Sequence, residues 1–590
     1  MSASLAALRQ SGRLRRVDAA LGEWVVRAFP DASSATALAA ALAARAIADG
    51  HSALALEKAQ VWFDGIEGDG KQAALPEVSA WYATLRNTSA VHVHAGDVHA
   101  GFTPLVLDAQ GRVYLRRYFE YEWQLARALI ARAGTVDNEV RGDVTESGTA
   151  GIDPEQRQAI ATALSHRFTL VTGGPGTGKT HGVVRMLVAL AEHAHAQGTS
   201  LRIALAAPTG KAAARLRESV LLQIATMDLP EKIEALLPRD AGTVHGLIGL
   251  SPWSARARHD HDSPLPFDVV VVDEVSMVDL PLMAKLVAAV PTDARLILLG
   301  DPDQLSAVEA GNVLGALVDA ARSEPLRDCH VALMRSHRFG ADSALGALAQ
   351  AIAAGNAEAA LHACAREAEV TLADAARLSD FLDTAAAAYR TVPDAGDPAE
   401  ALRAARGFRV LTALRRGPSG CVAIDSAIAA RLQRAAGVRA DERWWRGRLI
   451  LVTANRPELG LFNGDTGVVW PDADGVMKAW FEGPGGAPRA LPVAALPPHE
   501  GAFALTVHKA QGSEFDRVAL VTGPDSAVLT RELLYTGVTR ARAGITLYAT
   551  PDTLRAGIER RTLRMTGLAD RLREAAMTPN LIADSLPGQA

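Results

Sequence analysis

Gly173-Gly174-Pro175-Gly176-Thr177-Gly178-Lys179-Thr180 sets glycines, a lysine and a hydroxyl at the spacing GxxxxGK[ST]. The glycines let backbone N–H groups turn inward around phosphate oxygens, and the start of a following helix adds its partial positive charge. In that frame Lys179 reaches the β- and γ-phosphates of a nucleotide, and the Thr180 hydroxyl binds Mg2+. A second group stands at Val269-Val270-Val271-Val272-Asp273-Glu274, where four β-branched residues end in two carboxylates. A buried strand ending in this way puts Asp273 where ligands bind in open parallel sheets. Asp273 then completes the Mg2+ shell, and Glu274 orients or deprotonates an attacking water. Together the two groups point to hydrolysis of a nucleoside triphosphate, ATP with Mg2+.

The elements around these groups supply the context they need. The phosphate loop follows the apolar strand from Phe168 and opens a helix with Val183, Leu187 and Leu190 on one side. Short apolar runs at Phe168–Val171, Ile203–Ala206, Val269–Val272 and Leu296–Leu299 alternate with helical patterns, which indicates a parallel sheet covered on both faces. A second such series runs through Phe408–Leu411, Leu449–Val452, Ala502–Val507, Val518–Val521 and Ile545–Tyr548. The expected plan is two tandem α/β domains, at residues 151–335 and 336–555. A helical N-terminal domain precedes them at 1–110, with a connector at 111–150 and a polar, turn-rich boundary at Gly134–Gly151. A C-terminal tail occupies 556–590. Two insertions interrupt the α/β domains: a small hairpin at about 250–266, carrying Trp253, Arg256 and Arg258, and a small β module at about 462–498 with an Asp474-Gly475 turn. Strands are also expected at Pro104–Asp108 and Arg112–Arg117, leading into a helix from about Glu120.

Composition narrows the class. With 49% hydrophobic and 22% charged residues the chain is globular and not mainly disordered. A net charge of −5 means that any nucleic acid is held in a local groove and not by a global basic field. Three cysteines, none in a CxxC pair, exclude a disulfide scaffold, structural zinc and an iron–sulfur cluster. No apolar run is long enough to span a membrane, and the basic cluster of Met1–Arg16 follows the apolar stretch, unlike a secretory signal. A cytoplasmic location is expected. Only eight of the 61 basic residues are lysine, which gives Lys179 and Lys211 added weight.

The remaining segments carry a resemblance. In order they are Ile152-Asp-Pro-Glu-Gln156, Ala207-Pro-Thr-Gly-Lys211, Thr243-Val-His245, Gly300-Asp-Pro-Asp-Gln304, Leu333-Met-Arg-Ser-His-Arg338, Thr506-Val-His-Lys-Ala-Gln-Gly-Ser-Glu514 and Tyr535-Thr-Gly-Val-Thr-Arg540-Ala-Arg542. The series resembles the motif set of superfamily 1 helicases, which implies two tandem RecA-like P-loop NTPase domains. Gln304 suits a contact to γ-phosphate or its water. Arg338 and Arg540, from the second domain or its border, are expected as arginine fingers across the cleft. The resemblance assigns Gln156 to adenine and Glu514 to the nucleotide's sugar. It also places single-stranded DNA contacts on Pro208, Thr209, Lys211, His245, Thr506 and His508.

Thr103–Asp108, Val113–Glu122, Leu411–Gly420 and Leu459–Gly467 narrow the likeness to the RecD subunit family of exodeoxyribonuclease V. That likeness implies a 5′→3′ DNA helicase working with RecB and RecC in double-strand-break repair and recombination, its helical front end docking on the partners. Two residues depart from the family pattern: Asp425 stands where Asn is frequent, and His337 where many members carry Tyr. No acidic cluster with an accompanying lysine marks a nuclease site. Two other readings remain open: a free-standing 5′→3′ repair or conjugative helicase, and a regulatory subunit with DNA-stimulated ATPase.

Overall fold

The computed structural model describes residues 5–68, 74–95, 102–135, 152–338 apart from 252 and 255, 343–366, 369–374, 378–483, 486–523 and 528–578. The boundary expected at Gly134–Gly151 lies outside the described residues from 136 onward, as does the chain after 578. Among the described residues no helix is long and apolar enough to cross a membrane.

Among the described residues, twenty strands build four sheets. A small sheet near the N-terminus holds β1 (Leu54–Ala55), β2 (Val91–Val93), β3 (Leu105–Leu107) and β4 (Arg112–Leu115). The first α/β sheet contains β5 (Phe168–Gly173), β6 (Ile203–Ala207), β7 (Gly242–Thr243), β8 (Val269–Val272), β9 (Arg295–Gly300) and β10 (His330–Leu333), in the order β10-β5-β9-β8-β6-β7. All its pairings are parallel. Val269–Val272 are fully buried, as a strand covered on both faces requires. The second α/β sheet is also parallel, with β11 (Val370–Ala373) and β12 (Phe408–Thr412) joined later by β18 (Ala504–Thr506), β19 (Phe515–Val521) and β20 (Ala541–Tyr548). Its order is β11-β20-β19-β12-β18.

Between β12 and β18 the chain leaves the parallel sheet. β13 (Leu449–Val452), β14 (Thr466–Pro471), β15 (Met477–Glu482), β16 (Pro488–Pro492) and β17 (His499–Gly501) form an antiparallel sheet in the order β16-β15-β14-β13-β17. This corrects the expected module in two ways. It is wider than 462–498, and Leu449–Val452 belongs to it and not to the α/β series. An apolar strand of four buried residues looks the same in either sheet. The segment at 250–266 also differs from expectation: its described residues form turns and bends with no strand, and it returns to the core at Leu265.

The N-terminal domain is not all helical. The Ser34–Ala48 helix, in which Ala39, Ala40, Ala41 and Leu42 are wholly buried, packs beside the sheet β1-β4-β3-β2. The expected connector is no connector either. Its first residues are β4, and the Arg116–Arg132 helix drives Leu125, Ala126 and Leu129 into the core of the first α/β domain.

The expected tail is likewise structural. The Leu568–Met577 helix buries Leu568, Leu572 and Ala575 in that same core, while Met565 enters the N-terminal core. A buried polar cluster ties these parts together. Asp108 accepts from Arg112 Nε at 2.7 Å and from Arg571 Nη2 at 3.4 Å. Glu122 Oε1 accepts from Ser52, Thr566 and the Gly567 amide. Asp108 and Arg571 are both fully buried, Asp108 shared with Arg112 and Arg571 with Glu574. Asp108→Ala, which takes the buried carboxylate from between Arg571 and Arg112 and leaves them only Glu574 and Asp570, is expected to destabilise the chain by about 3 kcal/mol, read as a lower denaturant midpoint.

Candidate nucleotide and nucleic-acid site

β5 ends in the phosphate loop, and Gly178, at a φ of 79°, turns the chain into the Lys179–Ala196 helix. Gly176 also takes a positive φ, 77°. Side chains are excluded at both: a Cβ on Gly178 would lie 2.6 Å from the Gln156 amide nitrogen, and one on Gly176 would collide with Arg338. The Lys179 ammonium donates to the carbonyls of Gly173 and Gly174, so the cation is held inside the loop. Thr180 stands one residue further along the same helix, half-buried. Pro175 and Thr177 complete the loop, the Thr177 hydroxyl donating to the Gly174 carbonyl at 2.9 Å.

The acids gather at the carboxyl ends of β8 and β9. Burial and the charge of Glu274 push the Asp273 carboxyl up, while Lys179 opposes the shift. Glu274 adopts a φ of 53°, in the left-handed region that non-glycine residues enter at a cost of about 1 kcal/mol or more. After β9, Gln304 Nε2 donates to Asp301 at 3.1 Å, and its Oε1 is buried with no partner. Tyr535 Oη donates to the same Asp301 oxygen at 3.2 Å and would sit 2.9 Å from a Cβ on Gly174. Asp301 and Tyr535 were not singled out from the sequence, although both lie inside quoted motifs. Asp301, 1% exposed, is the acceptor that both side chains share.

Arg338 does not reach across from the second domain as expected. It follows β10, the edge strand of the first sheet, and its segment is fastened to the phosphate loop: His337 N donates to Gly176 O at 2.7 Å and Ser336 Oγ to Pro175 O at 3.2 Å. Only its side chain crosses, with Nη2 donating to Glu514 Oε1 at 2.5 Å, while Nη1 is buried without a partner. Arg540 belongs to the second domain and is fully buried behind the Arg531–Val538 helix, donating to Thr536 O and Ser513 O. Glu514, expected at the sugar, is committed elsewhere. Its carboxylate is enclosed by Arg338, by Arg542 at 2.9 Å and by Arg215 at 3.3 Å. These guanidiniums overcome the effect of burial and pull the carboxyl down to about 2.

At the other end of the loop, Gln156 is buried against Gly178, and His337 Nε2 lies 2.7 Å from Asp153. Of the residues expected at DNA, Pro208 and Thr209 stand at the head of the Gly210–Ala225 helix, where Thr209 Oγ1 caps the Ala212 amide at 3.2 Å. Lys211 is held against the β module. Its ammonium donates to Gly464 O of the β module at 3.3 Å, and burial with nearby arginines pulls it down to about 8. His245 is exposed on the short turn after β7. Thr506 closes β18 and accepts weakly from the Lys509 amide; His508 is half-buried, held low by burial and by Arg564. The Pro208–Lys211 and Thr506–Gly512 segments face each other, because a Cβ on Gly512 would lie 3.8 Å from Ala212. Asp425, the departure from the family pattern, takes the Phe503 amide on one oxygen at 2.8 Å and so steadies the approach to β18. An Asn carbonyl offers the same acceptor.

A phosphate loop on one parallel sheet, bordered by arginines bound to a second, defines a two-domain nucleotide-driven motor of the helicase class. Family models match residues 156–310 (AAA domain), 501–548 (UvrD-like helicase C-terminal domain) and 10–114 (RecBCD enzyme subunit RecD, N-terminal domain). The chain is 41% identical to the RecBCD enzyme subunit RecD of Mycolicibacterium smegmatis, over 93% of this chain and 95% of that one. It is 35% identical to the Haemophilus influenzae subunit of the same name, over 71% and 72%. It is 31% identical to the ATP-dependent RecD2 DNA helicase of Deinococcus radiodurans, over 79% of this chain and 59% of that protein. The chain belongs to the RecD family.

The Glu514 cluster gives a signed pH expectation. Its folded pKa lies below the ordinary 4.5, so its stabilisation is complete above 4.5 and is lost as pH falls toward about 2. Glu514→Gln is expected to lower stability at pH 7 by about 1–2 kcal/mol, allowing for screening of the partly exposed guanidiniums. Chemical denaturation should show the gap from wild type constant between neutral pH and 4.5 and narrowing below.

Proposed function

We propose that this chain is the RecD-type motor of a RecBCD enzyme, moving 5′→3′ along single-stranded DNA in double-strand-break repair and recombination. The chain is an ATP-dependent DNA helicase. The observation that supports the ATPase reading is a phosphate loop holding Lys179 together with two buried, partnerless polar atoms: Gln304 Oε1, on the side chain tied to Asp301, and Arg338 Nη1, on the segment fastened to Gly176. Buried polar atoms without partners are costly, and phosphate oxygens with their attacking water offer what these two lack.

Lys179 and the loop amides bind the triphosphate, and Gln156 borders the adenine. Thr180 and Asp273 present hard oxygen donors that fit Mg2+, which when bound neutralises charge on the phosphate oxygens. Glu274 orients or deprotonates the water, and Gln304, fixed by Asp301, holds it in line. Arg338 and Arg540 stabilise charge developing on the transferred phosphoryl group. Pro208, Thr209, His245, Thr506 and His508 border the strand path, with contacts to backbone and so little sequence preference.

Membership in a heterotrimer with RecB and RecC is supported by 41% identity to a RecD subunit and by the match of residues 10–114 to the RecD N-terminal domain model. These favour the subunit reading over a free-standing enzyme. Val17 and Trp24, 64% and 45% exposed on the Arg16–Ala28 helix, support a docking role for the N-terminal domain. A cytoplasmic site of action accords with this assignment.

Lys179→Gln is expected to leave folding and assembly intact and to lower ATP hydrolysis by about a hundredfold or more, with loss of unwinding. Duplexes with a 5′ overhang should be unwound and matched 3′-overhang duplexes should not. Unwinding from the 3′ overhang alone would overturn the polarity while leaving the ATPase in place.

A further inference from the structure

Three arginines surround Glu514, and Arg215 is the one that reaches it from a helix of the first α/β domain. It lies on the Gly210–Ala225 helix, whose first turn follows Pro208 and Thr209 at the strand path. Arg215 Nη1 donates to Gly512 O at 2.5 Å, and Nη2 pairs with Glu514 Oε2 at 3.3 Å. Both partners belong to the second α/β domain, whereas the helix belongs to the first. The carboxylate is divided: Arg338 holds Oε1, while Arg215 and Arg542 share Oε2.

We infer that Arg215 is a positioning residue that couples DNA contact at the head of its helix to the release of Arg338 from Glu514. The inference rests on the helicase reading above and extends it to how the strand controls hydrolysis. A helix is a stiff rod, so displacement at Thr209 moves Arg215, about 9 Å along the axis, by a similar amount. Glu514 carries one negative charge, and each guanidinium drawn onto it weakens its hold on the others. A helix pushed toward the second domain presses Arg215 onto Glu514 and Gly512. Arg338, with Nη1 already partnerless over the loop, is then free to turn its charge to γ-phosphate. A helix drawn back leaves Arg338 parked on the carboxylate. The anchor at Gly512 gives the exchange its direction, because a main-chain acceptor next to the Ser513–Glu514 segment keeps Arg215 on the Oε2 side.

The test measures steady-state ATP hydrolysis by the full chain, with and without saturating oligo(dT), and oligo(dT) affinity by fluorescence anisotropy. Wild type should be stimulated by the strand. Arg215→Ala should reduce the stimulation ratio by about fivefold or more, with the strand still bound. Arg215→Lys keeps the charge but cannot serve Gly512 and Glu514 together, and should restore part of the ratio. Glu514→Gln should raise hydrolysis without the strand, since Arg338 is no longer held. A purely structural Arg215 would lower both rates together and leave the ratio unchanged, which would overturn the inference. A wild type that hydrolyses ATP without any response to oligo(dT) would instead overturn the helicase reading, and this inference with it.

Discussion

The chain depends on where one guanidinium is anchored. Arg338 is fastened by its neighbours' main-chain and hydroxyl bonds to the phosphate loop, yet its side chain is bound to an acid of the second domain. Two parallel sheets, each with its own core, thus meet at a charge that both hold. In the proposed mechanism, phosphate entering the loop competes with Glu514 for that charge. The consequence is mechanical, because freeing Arg338 from Glu514 changes which charges join the two domains, with Arg215 taking a larger share of the carboxylate. The rest of the architecture serves this junction: the Gly210–Ala225 helix touches it from the first domain, the turn before β19 from the second, and the β module holds Lys211 alongside.

The outer parts brace one side of the motor so that the other can move. The Arg116–Arg132 and Leu568–Met577 helices close on the first α/β domain, and the buried Asp108–Arg571 pair ties the N-terminal sheet to them. Residues 564 and 565 return to the N-terminal domain, with Met565 in its core and Arg564 donating to both Asp49 O and Ala307 O. A buried ion pair of this kind adds little net stability against an apolar substitute. Its contribution is orientation, since the carboxylate's acceptors accommodate only a few placements of the helix.

Much of the site was legible because it is local. The phosphate loop needs only consecutive residues, and the strand before Asp273 advertises itself by four β-branched residues. The alternation of apolar strands with helices gave both α/β domains. What escaped depended on distant partners. Arg215 sits in an ordinary helical pattern, and nothing nearby in sequence shows that Gly512 and Glu514 await it. Glu514 reads as an isolated acid, so its enclosure by three arginines could not be seen. Leu449–Val452 is apolar in either kind of sheet, and β1 and β2 are too short for alternation to register. The 556–590 segment, expected only as a tail, holds Arg571, a charged residue that pairing with Asp108 and Glu574 lets lie fully buried.

The most direct test follows the distance between the two motor domains while the nucleotide site is filled. All three native cysteines are buried, so Leu222→Cys and Val422→Cys, at positions 69% and 53% exposed, can carry a donor and an acceptor dye. In the otherwise unaltered chain, a non-hydrolysable ATP analogue should change the energy transfer between the dyes. With Arg338→Ala added, the analogue should still bind and the change should disappear, because the charge shared by the two domains has been removed. A change of the same size with Arg338→Ala would contradict the account.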